Sequence, residues 1–184
     1  LAVLCTASVS LAASFDGNAR VEVADTTSGL SWDSGANALT VSCWLKMSIP
    51  SGTSVSDHLT VLADRTSGDE ASDPFSYLIR YNIWEGNLEF LAGESATFTG
   101  TLIERPFLDR WYHVAVVRDG TYFTGYVDGR EVFDQPLAVG DTSNDNGVSI
   151  GSWGDGKYFY GEIQEVAIYR EALHRNSIVD RMFV

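Results

Sequence analysis

Apolar and polar residues alternate along most of this chain, and the clearest such stretch runs from Trp111 to Val132. It contains two Asp-Gly pairs, Asp119-Gly120 and Asp128-Gly129, each between runs of strand-forming residues. An Asp-Gly pair in that setting favours a tight hairpin turn, because both central residues of a type I′ turn need a positive φ. The stretch therefore predicts three antiparallel strands. The first, 112–117, is apolar on both faces, which predicts a central place in a covered sheet.

The same period of two predicts strands on both sides of this meander. In the segment Ala38 to Met47, alternate apolar positions share one face and Trp44 lies on the other. Only the tail, 171–184, reads as a helix, with its apolar positions facing the body of the protein. The other predicted strands cover residues 20–24, 58–64, 75–82, 87–92, 96–104, 148–151 and 159–169.

About a dozen short strands at regular spacing, with no helices between them, are typical of sandwiches and barrels. The chain has 184 residues, which is the size of one domain. The pattern therefore predicts a single all-β domain over residues 1–184. Its predicted architecture is an antiparallel two-sheet β-sandwich of the jelly-roll type with a short C-terminal helix.

The first residues of the chain have two interpretations. Odd-numbered positions from Leu1 to Phe15 are apolar, and several even-numbered positions carry Ser or Thr. A signal-peptide apolar region is the alternative, but no positively charged segment precedes the run. We favour an edge strand over Leu1–Ser14. Such a strand presents unpaired backbone groups, so it also predicts pairing with a second copy of the chain.

Charge narrows the possible partners. The net charge is −13, which argues against nucleic acid, because a basic patch is the expected footprint of phosphate binding. No apolar run reaches the ~20 residues of a membrane-spanning helix. Acidic loops suit calcium, although an ordinary solvated surface is an equal alternative. The two cysteines, Cys5 and Cys43, are compatible with a disulfide or with two free thiols.

Several short motifs occur in an order that resembles laminin-G-like, concanavalin-A-like jelly-roll domains, including pentraxin-like ones. The resemblance covers nearly the whole chain and implies two stacked antiparallel sheets, one of them concave. It also implies a binding or adhesion role on a secreted or surface protein, often with calcium at one edge. The motifs are Phe15-Asp16-Gly17, the strand Leu39–Leu45 with its Trp, Trp111–Ala115, Tyr126–Gly129, Gly161–Tyr169 and Arg170–Leu173.

Glycosidases with this architecture resemble one another in an E-x-D-x-x-E strand, and the nearest match begins at Glu162. Only that first Glu fits, because Gln164 stands where relatives commonly carry Asp. Retaining hydrolysis needs two carboxylates about 5 Å apart. Glu162 and Gln164 share a face of the predicted strand, but an amide is no nucleophile. The sequence therefore predicts a protein that is not an enzyme.

Two acidic loops are the candidates for calcium, which binds six to eight oxygen ligands. In pentraxin-like relatives, loops at these positions meet at one end of the sandwich and hold the metal. The resemblance thus implies Ca²⁺ as a cofactor here. The candidate metal ligands are Asp69, Asp73, Asp145 and Asp155.

Sugar binding uses aromatic faces against C–H surfaces, together with polar groups that orient hydroxyls. Loop aromatics are therefore the first candidates, although such rings also cap the ends of a core. Trp44 and Trp111 lie in strands and are expected to help form the core. The candidate ligand-binding residues are Arg80, Trp84, Trp153 and Tyr158.

Together these observations predict a non-catalytic binding or adhesion module that binds carbohydrate with the assistance of calcium. Its expected partner is a glycan or glycoprotein surface, and its expected location is extracellular or on a cell or virion surface. The alternative is a structural or assembly subunit that forms a homo-oligomer through the N-terminal strand. A glycoside hydrolase is the least favoured reading.

Overall fold

A computed structural model describes most of the chain. The described residues are 5–9, 12–24, 30, 38–55, 58–64, 76–93, 98–120, 122–136, 147–153 and 157–182. The elements are β1 (Cys5–Val9), β2 (Ala13–Asp16), β3 (Val21–Val23), β4 (Leu39–Met47), β5 (His58–Ala63), β6 (Tyr77–Asn82), β7 (Asn87–Ala92), β8 (Phe98–Glu104), β9 (Trp111–Arg118), β10 (Tyr122–Val127), β11 (Arg130–Pro136), β12 (Val148–Ile150), β13 (Tyr160–Tyr169) and α1 (Arg175–Arg181).

The strands form two antiparallel sheets, which confirms the predicted all-β sandwich with a short C-terminal helix. The seven-stranded sheet has the order β1-β13-β4-β9-β10-β11, and β2 also pairs with β13. The six-stranded sheet has the order β3-β12-β5-β6-β7-β8. Neighbours in these orders are often distant in sequence, because the chain crosses between the sheets. This is the connectivity of a jelly roll rather than of a simple meander.

The strand pairing of the meander is as predicted, with β9 joined to β10 and β10 to β11 in antiparallel register. The type I′ turn predicted at Asp119-Gly120 is wrong, because Gly120 has a positive φ of 96° but Asp119 does not; the Asp119 carboxylate instead accepts from the Tyr122 amide. At the second turn, Asp128 and Gly129 both have positive φ, of 48° and 71°. The turn is fastened to β9 twice, because the Asp128 amide donates to the His113 carbonyl and the Asp128 carboxylate accepts from the His113 amide. β9 lies between β4 and β10, and its residues 112–118 are buried.

The N-terminal region contains two described strands where one was predicted. β1 pairs Val9 with Val166, and β2 pairs Ala13 with Ile163, so both lie along the same edge of β13. The edge strand predicted over Leu1–Ser14 stays a prediction for residues 1–4, 10 and 11, which lie outside the described residues. β1 is also the first strand of the seven-stranded sheet.

The core lies between the two sheets. The predicted apolar face of β4 is wholly buried, with Val41, Cys43 and Leu45 at 0% exposure. Burial raises the pKa of the Cys43 thiol to about 12, and Cys43 is a free cysteine, so it behaves as a small apolar side chain.

The C-terminal segment covers one part of the outer face of the seven-stranded sheet. Leu173 and Ile178 are buried against Ala115 and Val117, which point away from the core. The Leu173 amide donates to the Thr40 hydroxyl at 3.0 Å and anchors the segment to β4. The rest of that outer face is left uncovered by α1. None of the described helical residues forms a segment long and apolar enough to cross a membrane.

Candidate functional site

The uncovered part of the seven-stranded sheet carries two cross-strand rows of side chains. Strand register places Glu162 opposite Lys46 and Lys46 opposite Trp111. One pleat further along, it places Gln164 opposite Trp44 and Trp44 opposite His113. We call this surface the aromatic face, which consists of Trp44, Lys46, Trp111, His113, Glu162 and Gln164.

Both tryptophans of the aromatic face are half-buried, so each indole has a surface in contact with solvent. The Trp44 ring meets the His113 ring edge-on, with centroids 5.3 Å apart and planes at 69°. The Trp111 ring lies under Lys46 Nζ, which is 5.2 Å from its centroid. Since Trp44 and Trp111 are diagonal neighbours on adjacent strands, about 7–8 Å separates their positions.

Polar groups surround the two indoles. Lys46 Nζ forms an ion pair with the Glu162 carboxylate, and both side chains stay partly exposed. Such an exposed pair contributes little to folding, about 1 kcal/mol or less, so its hydrogen-bonding groups are readily shared with a ligand. The Gln164 amide adds a donor and an acceptor beside Trp44. Rings flanked by such groups match the requirements of a sugar ring, which has apolar C–H faces and a polar rim.

His113 is the buried residue of the aromatic face, and its ring packs against the ring of Trp44. Burial lowers its pKa to about 4, and the Asp128 carboxylate opposes that shift only in part. Its Nδ1 is buried without a hydrogen-bond partner among the described residues. The imidazole is therefore neutral at pH 7 and serves as a packing surface rather than as an acid or base.

The His113 pKa predicts an acid-sensitive fold. A histidine whose pKa is lower in the folded than in the unfolded chain favours unfolding as it takes up its proton. The stability that depends on neutral His113 is fully present above the ordinary histidine pKa of 6.5, and it is lost as the pH falls towards the folded-state pKa of about 4. Between pH 7 and pH 4, we expect the wild type to lose about 3 kcal/mol more unfolding free energy than His113→Gln. Urea unfolding at both pH values measures this, and equal losses in the two proteins would contradict it.

The predicted ligand-binding residues lie in several places. Arg80 is on β6 and pairs with Glu89 at 2.8 Å. Trp84 lies two residues after Asn82, the last residue of β6, and is 80% exposed in the β6–β7 turn. Trp153 is buried near the other end of β6, against Leu78. Tyr158 is half-buried at the end of the sandwich, on the wall of a cavity. The structure thus separates Trp84 from Trp153, and binding through any of the four stays a prediction.

The predicted metal ligands, Asp69, Asp73, Asp145 and Asp155, lie outside the described residues. Within the described ranges, no three His, Cys, Asp or Glu side chains come together in a metal-binding group. The calcium site therefore stays a prediction.

The expectation that Trp44 and Trp111 help form the core is wrong. Neither belongs to the buried cluster between the sheets, and both project from the outer face. The signal was present in the sequence, because the alternation of β4 puts Trp44 opposite to the apolar face. The alternation alone does not give the register between β4 and β9, which sets Trp44 and Trp111 side by side.

The shared face of Glu162 and Gln164 is as predicted, since both lie half-buried on the outer side of β13. Between them the buried side chain is Ile163, which faces the core. Glu162 is tied to Lys46, and the next outward position of the strand carries an amide.

Comparisons with known proteins agree with the fold described above. A model of the Laminin_G_3 family, described as the concanavalin A-like lectin/glucanases superfamily, matches residues 15–179. None of the curated protein sequences matches this chain.

Several solved structures share the fold of this chain. Domain 4 of AbnA, a GH43 extracellular arabinanase from Geobacillus stearothermophilus in complex with arabinotriose, is 24% identical with a TM-score of 0.70. The match covers 92% of this chain and 75% of that one. The botulinum neurotoxin serotype G binding domain is 10% identical with a TM-score of 0.68, over 91% of this chain and 41% of that one.

A further match is the botulinum neurotoxin serotype D ligand binding domain in complex with N-acetylneuraminic acid. It is 16% identical with a TM-score of 0.60, over 88% of this chain and 38% of that one. This chain thus spans well under half of the toxin domains. At these identities, the likeness concerns the fold alone.

Proposed function

Because this chain belongs to the Laminin_G_3 family of the concanavalin A-like lectin/glucanases superfamily, we propose that it is a non-catalytic carbohydrate-binding module whose site is the aromatic face. One observation carries the proposal. Two half-buried indoles stand as diagonal neighbours on adjacent strands, beside an ion pair and an amide, where α1 leaves the sheet uncovered. Adjacent exposed apolar surface with a rim of polar groups is typical of interaction and ligand-binding sites.

The charges of the face favour a neutral glycan. Lys46 and Glu162 neutralise each other, so the surface has no surplus cation with which to bind an acidic sugar. The net charge of −13 repels polyanions over the whole molecule. Because the site lies on a sheet face and its two indoles are separate platforms, it suits two or more consecutive sugar rings. The arabinanase domain with arabinotriose has the same fold, which supports carbohydrate binding here; the preference for a neutral glycan rests on the charges of the face, because the toxin domain with N-acetylneuraminic acid has that fold too.

The absence of catalysis is part of this proposal. A retaining hydrolase needs a nucleophile and a separate acid/base about 5 Å apart. On β13 the first position is Glu162, engaged by Lys46, and the second is Gln164. These two outward positions therefore supply one carboxylate, whereas the reaction needs two.

Affinity electrophoresis through gels containing neutral polysaccharides tests the function. We expect at least one of arabinan, glucomannan and xyloglucan to retard the protein, and polygalacturonate to leave it unretarded. Reducing-sugar assays of the same mixtures should show no hydrolysis. The proposal fails if no neutral polysaccharide retards the protein, or if hydrolysis appears and is lost in Glu162→Gln.

Calcium assistance is proposed on the acidic loops that contain Asp69, Asp73, Asp145 and Asp155. Extracellular modules bind calcium with Kd of about 0.1–1 mM. A tenfold to hundredfold excess of the ion then stabilises the fold by about 1.4 to 2.7 kcal/mol. We expect Tm to rise by about 3 to 11 °C.

Differential scanning fluorimetry of metal-free protein, with and without added CaCl₂, measures this rise. MgCl₂ is the control, because its stricter octahedral geometry suits a flexible acidic site poorly. The Asp69→Asn and Asp145→Asn variants should each reduce the calcium response. An unchanged Tm in calcium would overturn the metal part of the proposal and leave the aromatic face unaffected.

We also propose an extracellular or surface location, supported by the extracellular arabinanase among the structural matches.

Assembly is the second candidate function, and the position of β1 at the edge of the seven-stranded sheet favours it. Light scattering gives the oligomeric state of the whole chain and of a chain lacking its first 13 residues. This measurement distinguishes an assembly subunit from a binding module. An assembly subunit would be oligomeric only with its N-terminal strand.

A further inference from the structure

A cavity opens at the end of the sandwich, and none of its described lining residues belongs to the aromatic face. Its volume is about 230 Å³. Four chain segments enclose it: the turn after β2, the loop before β5, β5 itself and the start of β13. Its lining residues are Gly17, Asn18, Ser54, Val55, Leu59, Tyr158 and Tyr160.

The wall of the cavity is held by backbone hydrogen bonds. The Gly17 amide donates to the Phe159 carbonyl at 3.1 Å, and the Ser48 amide donates to the Tyr160 carbonyl at 3.0 Å. Gly17 has a φ of +88°, and a Cβ added there would lie 2.1 Å from Tyr160 Cζ. The Tyr160 ring therefore rests directly on the glycine backbone, which fixes the ring in place. A wall of this kind is preformed, and binding to it orders few additional groups.

The chemistry of the lining is neutral and mixed. The seven lining residues that the structure describes are uncharged, in a chain with 37 charged Lys, Arg, Asp and Glu side chains. Two phenol rings and the side chains of Val55 and Leu59 provide apolar walls. The Asn18 amide, the Ser54 hydroxyl and the phenol hydroxyls provide donors and acceptors.

We propose that this end cavity is a second binding site, which takes a single neutral sugar ring. Aromatic walls with hydroxyl and amide groups match the two surfaces of a sugar, as on the aromatic face. The cavity is smaller than the ~300–1,000 Å³ typical of sites for drug-sized ligands, so it accommodates one ring rather than a chain. It shares no residue with the aromatic face, so binding here is independent of the function proposed above.

Saturation-transfer NMR with methyl glycosides of arabinose, glucose and galactose tests the second site in the intact protein. At millimolar concentrations, we expect at least one glycoside to receive magnetisation from the wild type. Ser54→Trp fills the cavity from an exposed position, and Tyr158→Ala removes one wall. Each should weaken the binding of that glycoside at least tenfold. Tyr122→Ala, which truncates a tyrosine on β10 far from the cavity, should leave it unchanged.

The outcomes separate the two sites. In the Trp44→Ala variant, in which the aromatic face is impaired, a glycoside signal should persist, and adding Ser54→Trp should abolish it, because the cavity contains no part of the aromatic face. The second site is overturned if none of the three glycosides binds, if Ser54→Trp and Tyr158→Ala bind like the wild type, or if only Trp44→Ala loses the signal. Retardation of Ser54→Trp in polysaccharide gels measures binding by the aromatic face separately. Thermal unfolding like that of the wild type shows that each variant is folded.

Discussion

Replacing either tryptophan of the aromatic face, by Trp44→Ala or Trp111→Ala, will weaken binding of the retarding neutral polysaccharide by about 30-fold. Truncating a central aromatic residue of a binding surface commonly costs at least about 2 kcal/mol, and about 1.4 kcal/mol corresponds to tenfold in Kd. The loss arises because each indole supplies a flat apolar platform that the remaining polar groups do not replace. Affinity electrophoresis over a range of polysaccharide concentrations gives the Kd of each variant.

Tyr122→Ala is the matched control for these tryptophan variants. Tyr122 is an aromatic residue on the same sheet, 42% exposed, but it lies on β10 beyond the aromatic face. Its removal should leave the Kd unchanged within error. Trp44→Phe and Trp111→Phe should keep a part of the affinity, since a smaller ring still stacks. Wild-type affinity in both alanine variants, with unchanged thermal unfolding, would contradict the site.

Gly161→Ala will destabilise the fold by about 4 kcal/mol or more, which is at the upper end of single substitutions. Gly161 has a φ of +135°, and an added Cβ would lie 2.0 Å from the Lys46 carbonyl oxygen. Backbone atoms cannot rotate away as a side-chain end does, so β13 must move from β4. The same close approach places Glu162 opposite Lys46, so the aromatic face depends on it.

Gly52→Ala is the control that separates steric overlap from backbone strain. Gly52 also has a positive φ, of +79°, but nothing lies within 4 Å of a Cβ added there. The strain alone should cost about 1–2 kcal/mol. Urea unfolding of both variants gives the difference in unfolding free energy. Similar losses at the two positions would show that contact with the Lys46 carbonyl is unimportant.

Local patterns predicted most of the elements because their causes are local. The Asp-Gly pair at Asp128 forms its turn through a positive φ that belongs to those two residues themselves. The alternation in β4 places five apolar side chains on one face whatever the partner strand is. The helix near the C-terminus followed from apolar spacing in the same way, although the structure shortens it to Arg175–Arg181.

The site was harder to predict because its parts are distant in sequence. Trp44 and Trp111 become neighbours only through the pairing of β4 with β9, and Glu162 joins them through the pairing of β13 with β4. The sequence favoured aromatic residues in loops as ligand-binding residues instead, because loops commonly carry such residues. Trp153 shows the weakness of that rule, because its glycine-rich surroundings gave no sign that it would be buried.

The amino-acid sequence by itself determined the all-β class, the turns and the inward face of each long strand, because these depend on period-two patterning and on backbone preferences of single residues. Only the tertiary structure decided which outward faces stay open. That decision rests on cross-strand register and on where α1 packs, and both come from contacts between residues far apart in sequence, such as Lys46 with Trp111 and Thr40 with Leu173.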